Sequence, residues 1–204
     1  MYISSITDHD KKRKRISLDN GRLIFLLYRG ECGKLRLREG EELSEETLQR
    51  IFKDILEPRA KKRALYYLKF SDKTEKEVKR KLKESLYPEE IIEMALEYLK
   101  GYKFVDDSRY VENFVDTKRG KASKREILRK LRQKGVSPEA LEKAAESIAD
   151  EDEYDICRRT LEKYTRGRDL GDPKERARAY RYLAGKGYSY DAISGALGNM
   201  DEMD

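Results

Sequence analysis

The chain has 204 residues, of which 46 are Lys or Arg and 40 are Asp or Glu, so its formal net charge is +6. Charged residues make up 42% of the sequence, but opposite charges nearly cancel and apolar residues recur at helical spacing, which argues against a disordered chain. No apolar run reaches the ~18–20 residues that cross a bilayer, and the N-terminus lacks the plan of a signal peptide, so we expect a soluble, cytoplasmic and mainly α-helical protein.

The first forty residues differ from the rest and predict a small β-ribbon. Two apolar segments flank Asn20-Gly21, a pair that favours a tight hairpin turn because both residues tolerate positive φ. These segments are residues 16–18 and 23–28. Gly30 and Gly33 then break the chain, and residues 35–37 alternate as a third short strand should. We therefore expect two or three strands.

A ribbon of this size is not stable alone, so it must pack on a helix. That helix is predicted to begin at Ser44, which is followed by acidic residues in the first turn, and to end at Pro58. Residues 1–57 should therefore form a first module of β-ribbon and helix that is partly separable from the rest of the chain.

From residue 59 onward the sequence repeats itself. Three predicted helix starts, 49 residues apart, each place a capping side chain three positions before a glutamate, an arrangement that satisfies the unpaired amides of the first turn. The capping residues are Thr74, Ser123 and Asp172. One helix precedes and another follows each of these helices, so we predict three three-helix repeats. Their predicted limits are residues 59–101, 107–149 and 152–198.

Each repeat buries little apolar surface by itself, so neighbouring repeats should stack. The predicted fold class is mainly α: three tandem three-helix repeats in an elongated, curved array, preceded by the N-terminal β-ribbon and helix. The alternative is a single nine-helix globule in which the repeat survives only as ancestry.

Nothing in the composition favours catalysis. The single histidine, His9, lies in a polar, lysine-rich segment, and Cys32 and Cys157 are far apart without metal-ligand or disulfide spacing. The sequence also lacks the glycine-rich loops that hold nucleotide phosphates. We therefore expect no enzyme activity, no cofactor and no metal.

Basic residues concentrate in the first two repeats. Residues 59–149 have a net charge of +8, whereas residues 150–204 have a net charge of −3. On the second helix of each of these two repeats the apolar residues take one face, so the basic residues should project outward as a stripe. Such a stripe suits a polyanion or an acidic protein groove, and the alternative is a solvated face that keeps the protein soluble.

The centre of the sequence resembles a known signature. Residues 101–115, Gly-Tyr-Lys-Phe-Val-Asp-Asp-Ser-Arg-Tyr-Val-Glu-Asn-Phe-Val, and residues 118–123, Lys-Arg-Gly-Lys-Ala-Ser, are similar to the core motif of the bacterial RecX family of regulatory proteins. Residues 126–136 resemble the segment that follows this motif in the family, and residues 64–82 resemble the first repeat. The resemblance covers about residues 14–198.

The resemblance implies a non-enzymatic regulator, most often an inhibitor, of the RecA recombinase. Members of the family bind the RecA nucleoprotein filament in its helical groove, which places them in homologous recombination, DNA repair and the SOS response. DNA itself, single- or double-stranded, is a further partner to consider. The residues expected to contact the filament or DNA are Lys76, Lys79, Arg80, Lys83, Arg109, Lys118, Arg119, Lys124, Arg125, Arg129 and Arg132.

Two other functions fit the residues. Direct DNA binding is suggested by three-helix units with a basic second helix, which resemble helix-turn-helix geometry, and by the positive net charge. A structural adaptor that grips an unrelated helix or groove is the third possibility. Glu75, Glu77 and Glu84 interrupt the basic stripe, which weakens a DNA surface and suits a protein groove of mixed charge.

Several residues in and after the central motif have expected structural roles. Phe104, Tyr110 and Phe114 fall at buried helical spacing, so we expect them in the core rather than stacked on bases. Gly101 and Gly135 are expected to end helices, where glycine avoids the cost of a left-handed conformation.

Overall fold

The computed structural model describes residues 1–148, 153–166 and 168–198 of the chain. Within these ranges an N-terminal three-stranded antiparallel sheet precedes helices that follow one another in groups of three. The chain divides into two compact units, Met1–Asp106 and Asp107–Asp204. The prediction of a mainly α-helical fold of three-helix repeats behind a small β-ribbon is confirmed.

The sheet consists of β1 (Ile3–Asp8), β2 (Arg13–Leu18) and β3 (Leu23–Tyr28), in that order. Strands β2 and β3 pair from Arg13 opposite Tyr28 to Leu18 opposite Leu23. The turn between them places Asn20 at φ 56° and Gly21 at φ 93°, so the predicted Asn-Gly hairpin is confirmed.

Strand β1 is an edge strand that the sequence analysis missed. It has two apolar residues, Ile3 and Ile6, and the other four are polar, so its pattern carries little of the alternation that marks a strand. Backbone bonds to a distant segment hold it: the Ile3 N–H donates to the Glu41 carbonyl at 3.0 Å, and the Gly40 N–H donates to the Ile3 carbonyl at 2.9 Å.

The strand predicted at residues 35–37 is wrong, because the chain forms helix α1 (Arg29–Lys34) after β3. The Glu31 carboxylate accepts a hydrogen bond from the Tyr28 N–H at 2.7 Å, which satisfies an amide at the start of this helix. Both glycines of the segment lie inside α1 instead of breaking the chain, and the residues after it form the turn that ends the helix.

One continuous helical stretch follows, made of α2 (Glu45–Arg50), a π-helical segment (Ile51–Leu56) and α3 (Glu57–Leu68). The helix does begin after Ser44, but the end predicted at Pro58 is wrong. A proline within an α-helix lacks the N–H for the carbonyl four residues back. Here the Glu57 N–H bonds to the Phe52 carbonyl, five residues back, and this wider turn accommodates the proline at the start of α3.

The sheet and the first three-helix domain share one core. That domain consists of α3, α4 (Glu75–Glu84) and α5 (Glu89–Gly101). Fully buried residues of the sheet pack in the same cluster as fully buried residues of the helices. Among them are Ile16, Leu18, Phe25, Leu27, Ile51, Leu82, Leu96 and Leu99. The division into a 1–57 module and a first repeat stays a proposal, and its limit falls inside a continuous helix.

The C-terminal unit holds the other two domains. The second consists of α6 (Asp107–Lys118), α7 (Lys124–Lys134) and α8 (Pro138–Ser147), and the third of α9 (Glu153–Tyr164), α10 (Pro173–Gly185) and α11 (Tyr190–Gly198). Each has its own core, around Ile127 and Leu131 in the second domain and around Leu161 and Leu183 in the third. The repeat limits predicted at residues 149 and 152 lie outside the described residues.

The three predicted helix starts are confirmed. Thr74, Ser123 and Asp172 each occupy the N-cap of the second helix of a domain and accept a backbone N–H bond. Thr74 completes the reciprocal box, since its own N–H donates to Glu77 Oε2 at 3.3 Å. The corresponding glutamates of the other two helices form ion pairs with basic side chains.

The expected roles of the glycines and aromatic residues are partly confirmed. Gly135 ends α7 in the left-handed conformation at φ 80°. Gly101 instead lies within α5, and the left-handed residue that follows is Lys103 at φ 55°. Phe104 comes after this turn, outside the helical period, and is 46% exposed, so its assignment to the core is wrong. Tyr110 and Phe114 are half-buried against the core of the second domain.

Candidate partner-binding surface

Helix α4 presents a basic face on the N-terminal unit. Val78 and Leu82 are fully buried, and Thr74 caps the helix, so the residues between the apolar positions point toward solvent. Of the four predicted site residues here, Lys79 is half-buried and the others are exposed, namely Lys76, Arg80 and Lys83.

Acidic side chains of the same unit hold two of these cations. Lys79 Nζ lies 2.6 Å from Glu89 Oε1 and 2.5 Å from Glu93 Oε1. The hydrogen bonds to Glu89 and Glu93 raise the pKa of Lys79 above its usual value. Arg80 Nη1 lies 2.6 Å from Glu84 Oε1. Lys79 therefore projects outward, with its side chain 39% exposed, but acidic side chains of its own unit neutralise it and Arg80.

Lys76 and Lys83 are the cations of α4 that remain available. Both are exposed, and in the part of the chain that the structure describes neither has a carboxylate within the 4.0 Å of an ion pair. They are seven residues apart, which places them on the same helix face about 10 Å apart. Their ammonium groups can bind carboxylates or phosphates of a partner.

Helix α7 carries the corresponding face in the second domain. Ile127 and Leu131 are buried, and the predicted site residues Lys124, Arg125, Arg129 and Arg132 are exposed. Lys124 Nζ donates to the Ile148 carbonyl at 3.3 Å. Arg132 has no ion pair within the described residues, so its guanidinium is available to a partner.

Arg125 and Arg129 lie beside the third domain. Arg129 Nη1 donates to the Gly185 carbonyl at 3.3 Å. The turn after α10 approaches α7 so closely that a β-carbon added to Gly187 would lie 2.9 Å from Arg125 Cβ. These contacts join the second and third domains, so Arg129 projects outward as expected but also bonds to the third domain.

The other three predicted residues lie on α6 or just after it. Arg109 and Arg119 are exposed and Lys118 is half-buried. Lys118 Nζ lies 6.0 Å from the centre of the Phe114 ring, and Arg119 Nη2 lies 3.6 Å from Asp116 Oδ1. The second domain therefore offers basic groups from two helices, and among them Arg132 has no ion pair within the described residues.

The third domain has a basic and aromatic surface that the sequence analysis missed. Helix α10 exposes Lys174, Arg178, Tyr180, Arg181 and Tyr182. The rings of Tyr164 and Tyr182 stack with centres 4.3 Å apart. Arg168 lies 4.6 Å from the centre of the Tyr164 ring, and Lys186 lies 5.6 Å from the centre of the Tyr182 ring. The negative net charge of residues 150–204 concealed this surface, although the alternating Arg and Tyr residues of α10 were a visible signal.

The exposed cations of this surface can bind anionic groups, and the described residues offer neither a metal site nor a membrane span beside them. Among the residues that the structure describes, no three His, Cys, Asp or Glu side chains are placed to hold a metal ion, and no helix is long and apolar enough to span a bilayer. Cys32 and Cys157 are buried. Burial raises the pKa of both thiols, that of Cys157 to about 11, which suppresses the reactive thiolate.

Comparison with family models identifies three segments in order along the chain. Residues 60–99 match the first three-helix domain of RecX, residues 106–144 the second and residues 150–197 the third. The regulatory protein RecX of Clostridium acetobutylicum is 34% identical over 166 residues, which cover 79% of this chain and 78% of the relative. The chain belongs to the RecX family.

Two other RecX proteins match over nearly the whole length, and a third matches over 72% of this chain. The regulatory protein RecX of Clostridioides difficile strain 630 is 32% identical over 209 residues, covering 99% of this chain and 98% of the relative. A crystal structure of regulatory protein RecX superposes with a TM-score of 0.59 at 27% identity, covering 97% of this chain and 98% of that one. The RecX of Lactobacillus salivarius shares the fold, with a TM-score of 0.57 at 23% identity over 72% of this chain and 97% of that one.

Proposed function

We propose that this chain regulates the RecA recombinase, as an inhibitor, by binding the RecA–DNA filament in its helical groove. Membership of the RecX family, whose relatives are named regulatory proteins, supports the regulatory role. The observation that carries the proposal is the pair of basic second helices, α4 and α7. Their outward cations Lys76, Lys83 and Arg132 have no ion pair among the described residues and can recognise the anionic groups of a filament.

The acids beside these cations favour a groove that contains protein as well as DNA. Glu84, Glu89 and Glu93 lie next to the basic residues of α4. A surface of mixed sign binds a protein surface with the matching pattern, whereas the same carboxylates repel DNA phosphates. The affinity should therefore be higher for the filament than for naked DNA.

Regulation of this kind needs no chemistry from the chain. A protein that binds one state of the filament more tightly than another shifts the filament toward that state. Slower ATP hydrolysis then follows if the favoured state hydrolyses ATP slowly. We place this activity in the cytoplasm, in homologous recombination, DNA repair and the SOS response.

Direct DNA binding is the second candidate, and the surface of α10 favours it. Helix α10 exposes the ring of Tyr180 together with the arginines Arg178 and Arg181. Aromatic rings stack on unpaired bases while neighbouring cations contact phosphates, and this combination binds single strands with little sequence preference.

The regulatory proposal is tested by the rate of ATP hydrolysis by RecA on single-stranded DNA, measured as the chain is added. We expect the rate to fall and to level off at a fixed ratio of chain to RecA. The chain alone should hydrolyse no ATP. An unchanged rate at every ratio would contradict the proposal.

Gel-shift titrations distinguish the two candidates. The chain is added either to preformed RecA filaments or to the same single-stranded DNA without RecA. We expect binding to filaments at lower protein concentration than to DNA. Equal affinity for both, together with recovery of ATP hydrolysis when extra DNA is added, would favour direct DNA binding.

A further inference from the structure

We propose that a groove on the N-terminal unit binds an acidic peptide segment of a partner protein and receives one apolar side chain of that peptide at its base. The groove has a volume of about 620 Å³ and lies between the sheet, α3 and the turn that joins α4 to α5. Its lining contains none of the residues assigned above to the filament, so this surface is independent of that proposal.

The base of the groove is apolar and its rim is basic. Leu26, Ile55 and Leu86 line it; Leu26 is 6% exposed and the other two are half-buried, so they form the base. Lys62 and Arg63 line the same groove and are exposed, so they form part of the rim. An apolar base with charged groups around it is the common plan of a pocket for an anchoring side chain.

Arg59 is held in place within the groove before any ligand binds. Its Nη2 lies 2.5 Å from Glu31 Oε1, and its Nη1 donates to the Leu26 carbonyl at 3.3 Å. Its guanidinium also lies 4.6 Å over the centre of the Tyr28 ring. Arg59 thereby compensates Glu31, one of the two carboxylates in the lining.

The remaining charges leave the rim positive. Arg63 Nε donates to the uncharged Tyr67 hydroxyl at 3.0 Å, and Lys62 has no ion pair within the described residues. The lining contains four basic residues and two acidic ones, namely Arg13, Arg59, Lys62 and Arg63 with Glu31 and Asp54. Arg13 is paired with Asp10 outside the lining, at 2.7 Å, so the two cations Lys62 and Arg63 outweigh the single carboxylate of Asp54. The groove therefore complements a segment that carries carboxylates.

The backbone at Leu86 is a second, independent observation. In each domain the second helix ends in the same turn, in which a left-handed residue donates its N–H three residues back and the next residue donates five residues back. The left-handed residue is Gly135 at φ 80° in the second domain and Gly187 at φ 88° in the third. In the first domain it is Leu86, at φ 58°.

A bulky residue rarely adopts this conformation, which glycine takes without steric cost. The first domain thus places an apolar side chain in the groove at a position where glycine would suit the backbone better. Strained backbone of this kind concentrates at binding sites, where the side chain is needed for recognition. The base of the groove is therefore fitted for a ligand.

A peptide fits this lining better than a nucleic acid does. Bases stack on open aromatic faces. The lining does contain Tyr28, Tyr66 and Tyr87, but Arg59 lies over the Tyr28 ring at 4.6 Å and Tyr66 contacts the Phe70 ring edge to face. The base of the groove itself is formed by aliphatic side chains. The carboxylates of Glu31 and Asp54 would also oppose the phosphates of a strand. A peptide with carboxylates on both sides of one large apolar residue meets the rim cations and the apolar base together.

Fluorescence anisotropy with the full-length chain tests the proposal. The probe is the fluorescein-labelled peptide Asp-Glu-Asp-Phe-Asp-Glu-Asp, and the comparison peptide has serine in place of phenylalanine. We expect saturable binding of the first peptide and binding of the second that is weaker by about fivefold or more, because the serine cannot fill the apolar base.

Two variants locate the site. Leu86→Gly should weaken binding by about fivefold or more and leave the melting temperature near that of wild type, because the relieved backbone offsets the lost side-chain contacts. The double variant Lys62→Glu and Arg63→Glu should weaken binding by about tenfold or more. The matched control, Lys53→Glu with Lys69→Glu, makes the same charge change at exposed residues outside the groove and should bind as wild type does.

The proposal is overturned by any of four results. These are absence of saturable binding, wild-type affinity in both groove variants, an equal loss in the control, and tighter binding of an oligo-dT strand that displaces the peptide. The last result would assign the groove to nucleic acid. None of them affects the ATP-hydrolysis test, so the two proposals fail separately.

Discussion

Replacing Gly187 with alanine should destabilise the contact between the second and third domains. Gly187 has φ 88°, and a β-carbon there would lie 2.9 Å from Arg125 Cβ and 3.2 Å from Ser123 Oγ. The turn is also held by Ser123 Oγ, which donates to the Lys186 carbonyl at 2.7 Å. An added methyl group must therefore move the turn away from α7 or distort it.

Two costs add in this variant. An L residue in the left-handed region costs about 1–2 kcal/mol relative to glycine, and overpacking of a close contact costs about 1–3 kcal/mol. The expected loss is therefore about 2–5 kcal/mol. For a domain of up to about 100 residues each kcal/mol lowers the melting temperature by about 4–8 °C, so the affected transition should fall by at least about 8 °C.

Differential scanning calorimetry of the full-length chain measures this loss, and Gly185→Ala is the matched control. Gly185 is the last residue of α10 and has open space where its β-carbon would lie, so alanine should stabilise the helix by about 0.5–1 kcal/mol. If the two variants melt at the same temperature, the close approach of the turn to α7 is not a real constraint and the reasoning fails.

Three other predictions concern single groups and one boundary. Lys130 and Lys186 lie 2.7 Å and 3.5 Å from the buried Glu126 and, although burial opposes them, lower its pKa. The charged Glu126 therefore stabilises the fold fully above pH 4.5, the ordinary pKa of a glutamate, and this stabilisation is lost as the pH falls further. Glu126→Gln should lower the free energy of unfolding by about 1–2 kcal/mol at pH 7. In denaturant titrations the variant should also lose less stability between pH 7 and acid pH than wild type does. Burial raises the pKa of Cys157 from 9.0 to about 11. The neutral buried thiol therefore stabilises the fold fully below pH 9, and this stabilisation is lost as the pH rises toward 11. Rapid reaction of the Cys157 thiol with Ellman's reagent in the native chain at pH 8 would contradict its burial. Limited trypsin digestion should leave residues 1–106 together because they share a core, whereas an early cut next to Arg59 that leaves a stable helical fragment would support the 1–57 module.

Local signals predicted much of the fold because they act within a few residues. The Asn20-Gly21 turn and the caps at Thr74, Ser123 and Asp172 depend on φ preferences and on amides within the same turn. The structure has all four where the sequence placed them. Their regular spacing also revealed the repeat.

The errors arise where distant or unusual backbone contacts decide the outcome. A π turn before Pro58 carries the helix past the proline, and no local propensity announces it. Strand β1 pairs with β2 and also forms backbone bonds to residues 40 and 41, and its polar sequence gives a weak pattern. Leu86 occupies a left-handed position that only comparison with the other two domains makes conspicuous.

The candidate site was predicted as a set of residues but not as a set of contacts. Lys79 pairs with Glu93, and Arg129 bonds to the Gly185 carbonyl. These partners lie on other helices, so charge patterning along one helix cannot reveal them. Reversal of charge at Lys79 or Arg129 would also break contacts within the chain, so a clean test uses Lys76, Lys83 and Arg132.

The most direct test of the proposed function is the affinity of the variant Lys76→Glu, Lys83→Glu, Arg132→Glu for preformed RecA filaments on single-stranded DNA. The control, Lys11→Glu, Lys53→Glu, Lys143→Glu, makes the same change in net charge at exposed residues elsewhere. Charge reversal at an interface costs several kcal/mol, and each ~1.4 kcal/mol is tenfold in affinity. We therefore expect a loss of about a hundredfold or more, with helical circular dichroism and the melting temperature near wild type, and a much smaller loss in the control. Wild-type affinity in the first variant, or equal losses in both, would contradict recognition of the filament by the basic faces of α4 and α7.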